Sequence, residues 1–128
     1  MRRRALLLAG VAVAAWAAWQ RPFRVLVEGG SMIPTLRPGD QLLCVRRRRI
    51  MRGNVVVVSL PDRGFEVVKR VTALPGDPVG ERVLGEDEYL VEGDDPTRST
   101  DGRELGPIGR GDIEGVVLLR YLPDPRFV

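Results

Sequence analysis

Turn-forming residues divide the chain after Arg24 into short apolar segments, and this spacing constrains the fold more than any other feature. Glycine, proline and aspartate recur at 37–40, 60–64, 74–80 and 93–102. No long helical period lies between these turns, whereas short runs rich in valine are typical of strands. The segments with strand character are 24–28, 41–45, 54–59, 66–74, 88–92 and 115–121. The sequence therefore predicts a mainly β fold.

The valine run at 55–58 lacks the alternation of apolar and polar residues that is typical of a strand with one solvent-exposed face. It predicts a strand that is buried on both faces or one that crosses between two sheets. A chain of 128 residues with 44% hydrophobic content has room for one modest core, so we expect a single β domain over residues 25–128.

Charge and composition exclude several classes of function. Five arginines and no acidic residue lie in residues 1–24, which leaves a net charge of −2 on the rest of the chain. With 5% aromatic residues and no basic folded part, nucleic-acid binding is not expected. One cysteine, Cys44, and no histidine argue against a disulfide or a zinc site, so no metal or cofactor is predicted. In the apolar segment QLLCV, Cys44 is interpreted as a small core residue.

Residues 1–24 form a basic leader around an apolar run at 5–19 with arginines on both sides. As a helix, fifteen residues span about 22 Å, less than the roughly 30 Å of a hydrocarbon core, although flanking arginines can extend the span. A cleaved signal peptide is the alternative, because Ala15-Trp16-Ala17 has the small-x-small form of a cleavage site. We favour a retained transmembrane anchor, since tryptophans at the end of the run suit a membrane interface. Arginines are more numerous before the run than after it, which predicts a single-pass protein with its domain on the outer face of the cell membrane.

Ser31 lies in the stretch VEGGSMIPTL, where two glycines precede a serine. Such a serine is often a simple turn residue. Gly29 and Gly30 would also allow a substrate carbonyl to approach closely, and the Ser31 N–H could then bind an oxyanion. As a nucleophile, however, Ser31 needs a base, and the chain has no histidine.

Lys69 is the only lysine among twenty cationic residues. An arginine keeps its proton, whereas a lysine buried among apolar neighbours can lose it, its pKa falling from about 10.4 to as low as about 5 or 6. Lys69 lies in the apolar segment VVKRV, so burial could make it a general base. A surface lysine that protects a strand edge is the alternative.

Four motifs in order resemble the catalytic-domain boxes of the type I signal peptidase family, the serine-lysine membrane proteases. They are GSMIPTLRPGD (30–40), RGNVVVV (52–58), VVKRVTALPGD (67–77) and EGDDPTRSTDGRELGPI (92–108). The last, followed by EGVVLLRYLP, is similar to a compact branch that includes mitochondrial inner-membrane proteases. The resemblance covers nearly everything after Arg24.

The resemblance implies a largely antiparallel, folded β-sheet that works near the membrane surface. It implies that Ser31 is the nucleophile and Lys69 its general base, in a serine endopeptidase that cleaves exported preproteins after an Ala-x-Ala-like motif. It also implies supporting residues: Ser99 would orient the lysine, and Asp101 and Arg103 would form an ion pair. Gly29 and Gly30 would lie beside the nucleophile. Met32 and Val68 would line the substrate pockets. The partners expected are preproteins and the lipid bilayer, for a protein that acts as a monomer.

The sequence departs from the family pattern at four positions. Gly29 stands where some members have a hydroxyl side chain that helps to bind the oxyanion, so only backbone donors are predicted there. Asn54 and Asp95 stand where aspartate and asparagine are usual, and Gly102 where a serine precedes the arginine. None of these changes removes a member of the dyad.

Three other functions stay open at this point. One is a dedicated maturation protease with a single client, similar to those that trim the leader of nickel superoxide dismutase. Another is a self-cleaving protein like the LexA-type repressors, although these need an upstream partner domain and lack the box around Ser99. The third is a membrane-tethered β domain that binds without cutting, which gives no reason for the lysine at position 69.

Overall fold

The computed structural model describes residues 1–46, 48–60, 62, 64–97 and 105–128. These residues form one helix, ten strands and a short 3-10 helix, Arg110–Asp112. The helix is α1 (Arg2–Trp19), and the strands are β1 (Pro22–Leu26), β2 (Gln41–Val45), β3 (Val55–Leu60), β4 (Phe65–Ala73), β5 (Pro78–Val79), β6 (Arg82–Val83), β7 (Glu88–Glu92), β8 (Ile108–Gly109), β9 (Ile113–Leu122) and β10 (Arg126–Phe127).

Eight strands form one antiparallel sheet in the order β1-β2-β9-β3-β4-β7-β8, with β10 paired to the side of β9. A small hairpin, β5 with β6, stands apart from this sheet. The prediction of a mainly β, antiparallel fold preceded by one N-terminal helix is confirmed.

Strand β3 is central and contacts core side chains on both faces. Val55 and Val57 belong to a cluster with Met32 and Leu36, whereas Val56 and Val58 belong to a second cluster on the opposite face. All four valines are at most 2% exposed. The valine run is therefore a strand buried on both faces, the first of the two alternatives that its missing alternation predicted.

Predicted and observed strands differ mainly at their ends. Strand β1 begins at Pro22, two residues before its predicted start, because the helix ends sharply: Arg21 takes a left-handed φ of 54° and Pro22 cannot continue a helix. The predicted domain boundary after Arg24 thus falls inside β1. Four two-residue strands were not predicted, since two residues carry no periodic signal.

Helix α1 is exposed along its whole length, Trp16 at 63% and Trp19 at 59%. No helix in the described part of the chain is long and apolar enough to cross a membrane. The prediction of a transmembrane helix is therefore not confirmed. Arginines fill the first turn of α1, which leaves an apolar run shorter than a typical hydrocarbon core.

Candidate active site

Ser31 lies in a loop whose two ends are hydrogen-bonded to each other. The Val27 N–H donates to the Asp40 carbonyl at 2.9 Å, and the Gly39 N–H donates to the Val27 carbonyl at 2.9 Å. Met32, one residue after the serine, is buried in the first core cluster, as is Leu36. The loop is thus fixed at its base and by its apolar side chains, which holds Ser31 in a defined place at the surface of the domain.

Gly29 supports the loop through its backbone conformation. Its φ is +74°, in the left-handed region that favours glycine, and a Cβ at this position would contact nothing within 4 Å. The glycine is therefore required by conformation and not by crowding. Ser31 itself is half-buried, and among the described residues neither its amide N–H nor its hydroxyl has a hydrogen-bond partner within the chain.

Lys69 is buried in the middle of β4. It is 2% exposed and is among the largest fully buried side chains of the protein. The β3–β4 register sets it opposite Val56, on the face of the second core cluster, whereas its neighbour Val68 is opposite Val57 and packs against the first. The interpretation of Lys69 as a surface lysine is therefore wrong, because apolar strands cover it.

Asp94 connects the serine loop to the lysine strand. Its carboxylate accepts hydrogen bonds from Arg70 Nε at 2.9 Å and Arg70 Nη2 at 2.8 Å, and from Thr35 Oγ1 at 2.6 Å. Thr35 follows Ser31 by four residues, and Arg70 follows Lys69 directly. Arg70 is held in turn by a bond from its Nη1 to the Gly53 carbonyl at 2.8 Å. One carboxylate thus fixes the spacing of the two elements that carry the candidate dyad.

The pKa of Asp94 is lowered from its ordinary value, chiefly because Arg70 donates hydrogen bonds to the charged carboxylate. Partial burial opposes this shift, and the Thr35 hydroxyl and the charge of Arg70 add to it. The same hydrogen bond raises the pKa of Arg70. Both groups are therefore charged at neutral pH, in a bidentate geometry that lysine could not reproduce.

The loop at 93–97 also contacts the nucleophile segment through its backbone. The Asp95 N–H donates to the Ser31 carbonyl at 2.9 Å, and Thr97 donates to the Asp95 carboxylate through its N–H and its hydroxyl. This loop begins the last of the four motifs. Ser99, Asp101 and Arg103, which the family resemblance implied as supporting residues in the same motif, lie outside the described residues, as does Gly102.

A groove of about 500 Å³ opens beside Ser31. One wall is β1 and the segment after it, from Arg24 to Gly29, and the other is the start of β4, from Gly64 to Val68. Ser31 and Met32 also line it. Of the predicted pocket residues, Met32 and Val68 both line this groove, and so does Gly29.

Both walls of the groove present unpaired strand edges. Within the described chain, β1 pairs only with β2, and β7 pairs with β4 only from Arg70 onward. The N–H and carbonyl groups of the outer edge of β4 before Arg70 are therefore open to a peptide in the groove. Such an edge can bind an extended chain by β-strand addition.

Other nucleophiles fit the site less well. Cys44 is fully buried in β2, and burial raises the pKa of its thiol to about 12. The prediction that Cys44 is a core residue is confirmed.

Thr35 and Arg70 are site residues that were not predicted from the sequence. Thr35 lies three residues after Met32 and Arg70 directly follows Lys69, which was a signal, but their shared partner Asp94 is 24 residues or more away in the sequence.

Comparison with known proteins adds three findings. Residues 2–82, which include Ser31 and Lys69, match the model of the family described as signal peptidase, peptidase S26. The chain is 35% identical over 114 residues to mitochondrial inner membrane protease subunit 1 of Xenopus tropicalis, covering 77% of this chain and 68% of the relative. It is 32% identical over 140 residues to signal peptidase I of Bacillus licheniformis, covering 77% of this chain and 75% of the relative.

Proposed function

Because this chain belongs to the signal peptidase family, peptidase S26, we propose that it removes N-terminal leader peptides from exported proteins with Ser31 as nucleophile and Lys69 as general base. Membership of the family makes the protein a peptidase. The finer assignment, a serine endopeptidase that works through this dyad, is the proposal.

The observation that carries the proposal is the burial of Lys69 in β4, directly after Val68, which lines the same groove as Ser31. A lysine that is 2% exposed among valines has lost most of its contact with water, which disfavours the ammonium form and favours the neutral amine that a base requires. Burial of a charged ammonium costs free energy, whereas burial of a neutral amine costs less, so this position suits a lysine that works as a base.

The proposed reaction uses these groups in order. Lys69 Nζ takes the proton of the Ser31 hydroxyl as its oxygen attacks the scissile carbonyl, and the Ser31 N–H stabilises the oxyanion. Lys69 then gives the proton to the leaving amine, which leaves an acyl group on Ser31. A water molecule, deprotonated by Lys69, hydrolyses this ester and regenerates the serine. Ser99 would orient the amine, and Asp101 and Arg103 would brace the site, as the family resemblance implies.

The groove supplies the proposed substrate site. An extended segment before the cleavage point would hydrogen-bond to the free edges of β1 and β4, with small side chains towards Met32 and Val68. Arg24, Glu28 and Glu66 give the groove charged walls as well. Burial, followed by a hydrogen bond with Glu114, raises the pKa of Glu66.

The exposed apolar surface of α1 supports a proposed contact with the membrane. Large apolar side chains project from all sides of α1, and a helix of this kind needs an apolar environment. We place the peptidase domain on the outer face of the cell membrane, attached through α1 as a single N-terminal anchor, with residues 25–128 as the peptidase domain. Action as a monomer also stays a prediction, since the mitochondrial relatives are named as subunits.

The test is cleavage of a preprotein with an Ala-x-Ala junction by the full-length chain in detergent. Ser31→Ala and Lys69→Ala should each reduce the cleavage rate by at least about 10³-fold, because each removes one member of a unit that acts together. Ser59→Ala, a half-buried serine on β3 outside the groove, is the matched control and should retain wild-type activity. Cleavage by the two dyad variants at the wild-type rate would disprove the assignment.

The same assay separates leader processing from self-cleavage. Mass spectrometry of the enzyme after the reaction should show an unchanged chain and a shortened preprotein. A shortened enzyme with an intact preprotein would support the self-cleaving alternative.

A further inference from the structure

A second cavity, of about 640 Å³, lies where α1 joins the β domain. The side chains that matter for its chemistry are Trp16, Leu43 and Leu118, which are apolar, and Gln20, Arg48 and Arg49, which are polar or charged. It shares no lining residue with the groove at Ser31. This cavity, here called the junction cavity, therefore belongs to a different site.

Arg48 and Arg49 bring positive charge to the junction cavity. Both are exposed, and in the described part of the chain neither forms an ion pair with a carboxylate. Two other arginines on the domain surface, Arg52 and Arg82, are paired with Asp77 and Glu88. Two adjacent guanidinium groups suit a phosphate, which accepts their forked donors.

Gln20 supplies an unsatisfied acceptor in the same cavity. Its Oε1 atom is buried and has no hydrogen-bond partner among the described residues. A buried acceptor without a donor costs free energy, so most such groups in proteins have a partner. Gln20 itself is only partly buried, so its amide can turn towards the cavity, where a ligand with a hydroxyl group beside its phosphate would provide the missing donor.

The position of the junction cavity points to the source of this ligand. It lies at the end of α1, whose exposed apolar side chains are proposed above to enter a bilayer, and Trp16 belongs to both α1 and the cavity wall. Tryptophan and arginine at the end of an apolar helix are typical of the headgroup region of a membrane. A phosphate and a hydroxyl at this depth are those of a phospholipid headgroup.

We propose that the junction cavity binds one anionic phospholipid with a hydroxyl-bearing headgroup. Arg48 and Arg49 bind the phosphate, the headgroup hydroxyl donates to Gln20 Oε1, and the first part of an acyl chain packs on Trp16 and Leu43. The inference rests on the proposed membrane contact of α1 and is independent of the chemistry of Ser31 and Lys69.

The first experiment measures lipid binding through Trp16. In full-length Trp19→Phe, Trp16 is the only tryptophan, so its fluorescence reports on the junction cavity. Phosphatidylglycerol with brominated acyl chains is titrated into the protein in a zwitterionic detergent. Saturable quenching, with half-saturation at least about tenfold lower than for brominated phosphatidylcholine, is expected from the two arginine contacts. Equal quenching by both lipids, or none by either, would overturn the proposal.

A pair of double variants tests the arginines. Arg48→Gln with Arg49→Gln, on the Trp19→Phe background, should raise the half-saturating phosphatidylglycerol concentration roughly 30-fold, since each arginine near an anionic surface strengthens binding about fivefold. Arg52→Gln with Arg82→Gln removes the same charge outside the cavity and should change the half-saturating phosphatidylglycerol concentration less than about twofold. Equal effects of the two double variants would show general charge attraction and overturn the site.

A third variant tests Gln20 against two anionic lipids. Phosphatidylmethanol has the same charge as phosphatidylglycerol but no hydroxyl in its headgroup. The wild-type cavity should therefore bind phosphatidylglycerol about fivefold more tightly, an affinity ratio that corresponds to one hydrogen bond. Gln20→Leu should fold, because it removes an unsatisfied buried acceptor, and should lose this preference. A preference that persists in Gln20→Leu would contradict the role of Gln20.

Soluble glycerol phosphate provides the last comparison. It carries the same phosphate and hydroxyl groups without acyl chains, and it should not displace the brominated lipid at tenfold excess. Displacement at that ratio would show that the cavity recognises a free phosphate ester and not a lipid.

Discussion

Asp94 holds the two halves of the candidate site at a fixed spacing. Because its carboxylate bonds both Thr35 and Arg70, its loss would let the Ser31 loop move relative to β4. Small misplacements of reacting groups cost large factors in rate. Asp94→Asn should therefore lower the rate of preprotein cleavage about 10- to 100-fold in a folded protein. The control, Asp87→Asn on an exposed turn, should cleave at the wild-type rate. Wild-type cleavage by Asp94→Asn would refute the positioning role.

The lowered pKa of Asp94 also predicts a dependence of stability on pH. Between the ordinary value near 4 and the lower value in the folded protein, the unfolded chain binds more protons, so the free energy of unfolding falls as the pH drops through this range. Urea unfolding at pH 7 and near pH 3 should show a larger acid loss for wild type than for Asp94→Asn. If the free energy of unfolding fell equally in the two proteins, the ion pair of Asp94 with Arg70 would not contribute to the pH dependence of stability.

Site residues divide into those that the sequence identifies and those that need the fold. Ser31 follows two glycines, and Lys69 is the only lysine, so both stand out in the linear chain. The link from Thr35 through Asp94 to Arg70 does not, because aspartates are common in turns and their long-range partners depend on tertiary structure. The family resemblance identified the motif that contains Asp94, but it did not predict the contacts of Asp94 with Thr35 and Arg70.

At the level of secondary structure, Gly115 lets β1 pack closely on β9. A Cβ at this position would come within 2.5 Å of the Phe23 ring and of the Val45 carbonyl. Gly115→Ala should therefore reduce the free energy of unfolding by about 1–3 kcal/mol, measured by urea denaturation. Gly111→Ala, where a Cβ would contact nothing within 4 Å, should change it by less than about 0.5 kcal/mol. A smaller loss for Gly115→Ala than for Gly111→Ala would contradict this packing.

Strands were predictable where valine runs and turn residues agree. The observed bounds of β2 and β7 equal the predicted ones, and β3, β4 and β9 differ by one or two residues at either end. Helix α1 follows from the apolar run, but its relation to the membrane does not follow from apolar character alone. Length and the arginines at its start decide whether such a helix can span a bilayer.

On the scale of the whole molecule, the arrangement of the sheet creates the groove. Strands β1 and β4 are separated by three strands in the sheet order, yet both line the cavity beside Ser31. The sheet must therefore curl to bring these two edges together, and strand twist makes such curling common. No local pattern in the sequence specifies this order, since β2 and β3 pair with β9, a strand that is distant from both in the sequence.

The proposed mechanism depends on Lys69 accepting a proton, and the cleavage rate of Lys69→Arg tests this most directly. The substitution keeps a long cationic side chain, but a guanidinium cannot act as a base near neutral pH. Circular dichroism first establishes that the variant is folded. Preprotein cleavage by Lys69→Arg should be as slow as by Lys69→Ala, whereas a rate close to that of wild type would contradict the role of Lys69 as the base.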